Sequence, residues 1–305
     1  MTEHYIHAAS IGATILPGVT GQAIERQREK HRPETAGNLW TRLDALKRQV
    51  GMISLTTSGV KQLLDLMPQG TGATQLPVPC MKLSAGAPLT LWAISNQDDV
   101  PLPTAGAVHE KLLINLGAVA LRRLAWRESG EPMVATATCW PISADGEAPY
   151  WAASQAALPT VPPVDSDMTL DAVSIGGVPL EDVSDIEVEI DCPWTPSFKL
   201  PKSRYPDYLS AAGARGICAV RFGWRSRDRS LLRAWGEGYK GGAVQTVELT
   251  LRDYAQAAER GATTFKLDLK CTIEAASVED GRPSTVQVNC ASLSTDGLNP
   301  FRWGY

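Results

Sequence analysis

The sequence predicts a mainly β protein with a little α: two tandem small β-barrel or sandwich domains, each with a flanking short helix. Three observations predict it. The chain has 305 residues, enough for two domains of about 150 each. Short segments of apolar and polar alternation, the period of a half-buried strand, recur along its length. Turn-rich windows recur in matching order in the two halves.

The repeat is clearest near the ends of the two halves. Residues 129–150 read SGEPMVATATCWPISADGEAPY and residues 280–301 read DGRPSTVQVNCASLSTDGLNPF. Without gaps they match at Gly130/Gly281, Pro132/Pro283, Cys139/Cys290, Ser143/Ser294, Asp145/Asp296, Gly146/Gly297 and Pro149/Pro300, with Tyr150 against Phe301. Ile11-Gly12 likewise answers to Ile175-Gly176, and Val19 to Val183. At that same offset Ile53 falls on Ile217, while Leu89-Thr90-Leu91 resembles Leu249-Thr250-Leu251. G-x-P and D-G are common turns and can converge, but the clustering of matches favours duplication. The expected organisation is a first domain over 1–158, a linker over 159–168 and a second domain over 169–305. The proline-rich stretch from Gln155 to Pro163 reads as stiff and extended.

The elements follow in order. In the first copy Ile53–Thr56 is strand-like, and Ser58–Met67 is helical with Ser58 as its capping residue. Strands over Leu89–Ile94, Lys111–Leu116 and Met133–Trp140 complete that copy. In the second copy Asp185–Asp191 alternates strictly, and Gly216–Gly223 forms the next strand. Asp228–Ala234 suits a short helix, and Val244–Leu251 and Phe265–Lys270 alternate again. The turn Asp280–Pro283 leads into a last strand, Thr285–Leu293. Each copy also carries a long segment, charged over Gln22–Gln49 and rich in proline and tyrosine over Pro193–Ala212. Segments of that length inside a compact domain are usually functional, so both are expected to contact other subunits or stacked rings.

Composition narrows the function classes. A net charge of −4 argues against a protein built to grip phosphate backbones. Apolar runs fall short of a membrane helix, so no membrane partner is expected. Met1–Tyr5 lacks a charged-then-apolar pattern, so no Sec export is expected. Six cysteines without a C-x-x-C pair are too sparse for a disulfide scaffold and read as buried free thiols.

No hydrolase elbow, zinc-protease helix, phosphate loop or dinucleotide fingerprint is present, so neither enzymatic activity nor a cofactor is expected. His4 and His7 would need a helix and further ligands to hold a metal, and read as a solvated arm; no metal site is expected. Asp98, Asp99 and Asp145 sit in turn-rich sequence and read as turn residues. Arg221, Trp224, Arg225, Arg227 and Trp235 interleave cations and aromatics. That pattern suits single-stranded nucleic acid or a protein interface, and the acidic total charge favours an inter-subunit surface. Trp126, Trp140, Trp151 and Trp194 suggest further aromatic surface.

A glycine-containing opening (Val173–Leu180), an alternating acidic strand (Val183–Asp191), a leucine-rich basic strand (Glu110–Leu124) and a last strand after a G-x-P turn ending in D-G-x-x-P together resemble the major tail tube proteins of tailed phages. The resemblance is one of order and character over most of both copies. It implies a small β-barrel or sandwich with a flanking helix, six such domains per ring, and rings stacked into a conduit. Two domains per chain imply a homotrimer of pseudo-sixfold symmetry. The partners implied are other copies of the chain, the tape-measure protein, tail terminator and tail-tip proteins, and DNA in transient, non-specific passage. The implied location is the virion tail, assembled in the host cytoplasm. Baseplate hub proteins carry two tube-like domains as well, so tube and hub both remain open. A carbohydrate-binding β-sandwich, with tryptophans as stacking platforms, is the alternative of another class.

Asp185, Glu187, Glu189 and Asp191 fall at every second position and so project from one face of one strand. Four adjacent carboxylates need water, so this face is not core. A solvated outer wall and a channel-lining wall both satisfy that, and the tube resemblance points to the channel.

Overall fold

The computed structural model describes residues 4–31, 45–67, 79–95, 109–128, 132–161, 168–191, 194–201, 203–211, 217–225, 244–253, 265–279, 285–292 and 301–304. Among them strands dominate, with one short helix. The first half runs β1 (His4–Ile11), β2 (Thr14–Leu16), β3 (Val19–His31), β4 (Ala45–Thr57), α1 (Val60–Asp65), β5 (Cys80–Leu83), β6 (Leu89–Ser95), β7 (His109–Ile114), β8 (Gly117–Trp126), β9 (Val134–Pro141) and β10 (Ala152–Ala156). The second runs β11 (Met168–Ile175), β12 (Val178–Leu180), β13 (Val183–Asp191), β14 (Trp194–Ser197), β15 (Tyr208–Ala211), β16 (Ile217–Arg225), β17 (Gln245–Asp253), β18 (Phe265–Glu279), β19 (Thr285–Ser292) and β20 (Phe301–Gly304).

One pairing scheme occurs in both halves. In the first, β10-β7-β6-β1-β2 form one antiparallel sheet and β8-β9-β4-β3 lie side by side in another. Ile11, Leu89, Leu91 and Ile114 from the first sheet are buried in one cluster with Ile53, Leu55, Leu121 and Cys139 from the second. In the second half β18-β17-β11-β12 and β18-β19-β16-β13 repeat these orders. Here the single long strand β18 spans both sets: it pairs with β17 and β20 over its first part and with β19 over Cys271–Glu279. In the first half β7 and β8 divide that task.

Register fixes which residues are equivalent. Ile53 faces Cys139, which faces Val119; Val220 faces Cys290, which faces Ile273. Cys139 and Cys290 therefore hold the same place, and Ile11 and Ile175 do so at their hairpins. Pro283 lies outside the described residues. Two of the sequence alignments shift. Ile53 answers to Val220 rather than Ile217, because the β3–β4 and β13–β16 connections differ in length and an ungapped offset ignores that. Leu89, opposite Ile11, answers to Val247, opposite Ile175, rather than to Leu249. That slip of two residues preserves the buried face, because strand side chains alternate with period two.

Several expected elements change. Most of Gln22–Gln49 is strand: β3 and β4 pair from Val19↔Thr57 to His31↔Ala45. Ala23–Lys30 are exposed or half-buried on both faces, so β3 lacks the apolar alternation that marks a strand in sequence. Helix α1 lies inside Ser58–Met67, but Gly59 is its N-cap and no side chain caps it. Thr57 rather than Ser58 takes the Gly59 N–H, at 3.0 Å. The second expected helix, Asp228–Ala234, lies outside the described residues. Thr285–Ser292 is not the last strand, since β20 follows and continues along β18. Gln155 and Ala156 belong to β10, paired with β7, rather than to a linker. No described helix is long and apolar enough to cross a membrane.

Candidate assembly interface

The two halves meet as one continuous sheet. β13 pairs antiparallel with β8 through Ile186↔Trp126, Glu187↔Ala125, Val188↔Leu124 and Glu189↔Arg123. Eight strands thus run side by side in the order β18-β19-β16-β13-β8-β9-β4-β3. On the core face of the joint Val188 and Leu124 are both fully buried. On the opposite face the acidic residues of β13 meet arginines from both sides. Glu187 is paired with Arg123, Glu189 with Arg221 at 3.2 Å, and Asp191 with Arg122 at 3.0 Å. Arg225 reaches across the joint to hold both oxygens of Glu128, at 2.6 and 2.5 Å.

Three of the four carboxylates are charge-matched, so mutual repulsion is not what governs this face. The side chains remain a third to two thirds exposed, so each pair contributes at most about 1 kcal/mol. Asp185 is exposed between the buried Ser184 and Ile186 and so keeps the alternation, but it sits at a bulge with φ 34° that interrupts the pairing with β16. Glu187, Glu189 and Asp191 keep the expected spacing on an accessible face, while Ile186, Val188 and Ile190 are buried between them.

The arginine–aromatic stretch divides. Arg221 and Arg225 are surface cations held by Glu189 and Glu128. Trp224 is buried in the core with Phe222, so it is packing rather than inter-subunit surface. Its alternation with Arg221, Gly223 and Arg225 is that of a strand with one apolar face. Arg227 and Trp235 lie outside the described residues. Trp92, Trp140 and Trp303 are buried, and Trp126, Trp151 and Trp194 are half-buried. The Trp126 indole donates to Thr169 at 3.0 Å, and that of Trp303 to the Met67 carbonyl at 2.8 Å, both between the halves.

A second contact works as a clasp. The segment from β14 to β15 belongs to the second half but lies on the first, so this part of Pro193–Ala212 binds its own chain. The Ser143 N–H donates to the Pro206 carbonyl at 2.6 Å, and the Arg204 and Tyr205 N–H groups donate to the Gly146 carbonyl at 2.8 and 3.0 Å. The Gln49 N–H reaches the Arg204 carbonyl at 2.7 Å. The Arg48 guanidinium stacks on Phe198, 4.7 Å from the ring centre, and Tyr150 meets Tyr205 edge-on at 5.4 Å.

The receiving loop is the repeated Ser-x-Asp-Gly window. Asp145 Oδ1 accepts the N–H groups of Glu147 and Ala148 and the Ser143 hydroxyl, while Ser143 Oγ accepts the Gly146 N–H. Those bonds, led by that of Ala148, hold the Asp145 carboxyl below the usual range. Gly146 has φ 75°, and a Cβ there would lie 2.6 Å from Ser203 Oγ. The Tyr150 ring lies flush on Gly51, where a Cβ would come 2.3 Å from its hydroxyl oxygen. Gln49 donates to that hydroxyl at 3.0 Å. Asp145 is therefore the turn residue it was expected to be, with a role in holding a docking loop.

No protein-family model matches the chain, and no curated protein matches its sequence.

Other candidates resolve structurally. His4 and His7 lie on strand β1, so the helical spacing that would bring both to one metal is absent. Asp98 and Asp99 lie outside the described residues. Among the described residues no group of three or more His, Cys, Asp or Glu is placed to hold a metal ion. Cys80 and Cys139 are buried free thiols. Burial pushes the Cys80 thiol up to about 11 and that of Cys139 higher still, so neither is a nucleophile near neutral pH. Sequence reading missed Arg122, Arg123 and Glu128. The signal was present: an Arg-Arg pair inside a strand cannot place both side chains in an apolar core, so it needs partners beside it.

Proposed function

We propose that this chain is the major tail tube subunit of a tailed phage, a structural protein acting by assembly rather than catalysis. Two copies of one β domain fill two positions of a pseudo-sixfold ring, and three chains close it. Rings stack into a conduit that encloses the tape-measure protein, ends on terminator and tail-tip proteins, and later passes DNA. The protein resides in the virion tail after assembly in the host cytoplasm.

The observation that carries this reading is the β8·β13 joint. Different edges of equivalent sheets meet there: β8 answers to the end of β18, and β13 answers to β3. A contact between unlike edges is heterologous, and repeated it closes into a ring or runs on as a helix. The edges that pair on one side only among the described strands, β3 and the end of β18, are the pair that would repeat it between chains. The sheet face away from the core suits a channel wall. It carries Ser54, Thr56 and Thr136, with a hydroxyl–hydroxyl contact of 3.2 Å between the threonines, and the charge-matched joint. At the joint Arg122, Arg123, Arg221 and Arg225 are each held by a carboxylate, so they present little uncompensated charge to phosphates. The burial of Trp92, Trp140, Trp224 and Trp303 weighs against a sugar-stacking surface.

Negative-stain imaging with mass measurement of isolated rings tests the proposal. Stacked rings of three chains are expected. Rings of six chains, or a monomer at all concentrations, would overturn it; trimers that never stack would favour the hub reading.

A further inference from the structure

The internal joint supplies a template for the joint between chains, residue by residue. On β13 and β3, Val188 and Ile24 are equivalent, since each lies opposite the residue that faces the repeated cysteine: Val220 before Cys290, Ile53 before Cys139. On β8 and β18, Leu124 faces Ala135 and Val278 faces Val286, each four residues before that cysteine. Arg123 answers to Ser277 and Ala125 to Glu279 by the same ladder. Among the described strands β3 pairs only with β4, and Thr272–Glu279 of β18 only with β19.

We infer that β3 of one chain pairs antiparallel with the end of β18 of another, setting Ile24 opposite Val278, Glu25 opposite Ser277 and Ala23 opposite Glu279. This rests on the ring reading and sharpens it. The occupant of the edge is a second copy of this chain, because the same edge type is already filled within the chain at Val188↔Leu124. Ile24 fits the role: it is half-buried, packed against the core, and flanked by the exposed Ala23 and Glu25.

The two joints then differ chemically. Within the chain, the β8 side supplies Arg123 opposite Glu189, and it pairs with Glu187. Between chains, Ser277 stands where Arg123 stands, and Glu279 stands where Ala125 stands. Carboxylates sit on both strands and the arginine is missing. The contact between chains is therefore the weaker joint, the one at which a ring opens while each chain stays intact.

Two measurements test this. Glu25→Cys with Ser277→Cys, oxidised after assembly, is expected to give covalent dimers and trimers, with neither single variant doing so. Ser277→Arg together with Ala23→Glu restores the counterparts of Arg123 and Glu187 and is expected to lower the concentration at half-assembly by roughly two- to five-fold per joint beyond the sum of the single variants, the scale of one cross-strand charge pair. Three-chain rings that do not cross-link, or a double variant no better than the sum of its singles, would overturn the register and leave the conduit reading standing. Failure of the unmodified chain to assemble at any concentration overturns both.

Discussion

Strands β13 and β3 occupy the same place in the two halves, and almost everything else about them differs. β13 is paired on both sides, by β16 and β8, and its alternate residues Ile186, Val188 and Ile190 are buried. β3 is paired on one side among the described residues, and it is exposed or half-buried over Ala23–Lys30. β13 shows strict apolar–acidic alternation; β3 mixes charges and reads like a loop. An edge strand held on one side needs no regular apolar face, whereas a central strand must fill a core. The difference teaches that edge status, more than ancestry, shapes the residue pattern of a strand.

The sharpest way to break the comparison is to place a charge on each strand at the equivalent position. Val188→Asp buries an unpaired carboxylate at the joint and is expected to cost roughly 3–5 kcal/mol, read as loss of soluble protein or a collapsed denaturant midpoint. Ile24→Asp is expected to cost the isolated chain about 1 kcal/mol or less yet abolish assembly, read by melting and by mass. Equal destabilisation of the isolated chain by the two would end the distinction.

Next is the clasp, the second difference between the halves' surroundings. Gly146→Ala forces a side chain into a left-handed backbone against Ser203, and a loss of about 1–3 kcal/mol is expected in urea melts. Deleting the Tyr150 hydroxyl by Tyr150→Phe leaves the Gln49 Nε2 group without that acceptor and is expected to cost about 1 kcal/mol.

A smaller effect concerns acid. The Asp145 carboxyl is held below its ordinary range by the loop, so its contribution is present above the unfolded value of about 4 and is lost as pH falls through the lowered folded value. Amide exchange at Glu147 and Ala148 should rise in that window, and Asp145→Asn should flatten the dependence. The smallest effect belongs to the charge lattice. Glu187→Gln and Glu189→Gln are each expected to cost under about 1 kcal/mol, less at high salt. A cost that does not shrink with salt would mean that hydrogen bonding, not charge, holds that face.

The class of the fold and the recurrence of one pattern are legible in residue spacing alone. Alternation in Val183–Asp191 and Gln245–Asp253, and the repeated cysteine, are local signals that need no distant partner to be read. The sequence also held the clasp motif, since a Ser-x-Asp-Gly turn is built from bonds among neighbours. What those signals meet depends on contacts between distant strands. That β13 lies beside β8 depends on residues some sixty positions apart, and no periodicity encodes which edge finds which. The carboxylates of β13 looked like a repelling row because their arginines stand on other strands. The Arg–Trp stretch looked like surface because a strand seen alone does not reveal that one of its faces is roofed by a second sheet. Local order is written in spacing, but partners across a sheet are chosen by the packing of whole strands, and that choice is made only when the chain closes on itself.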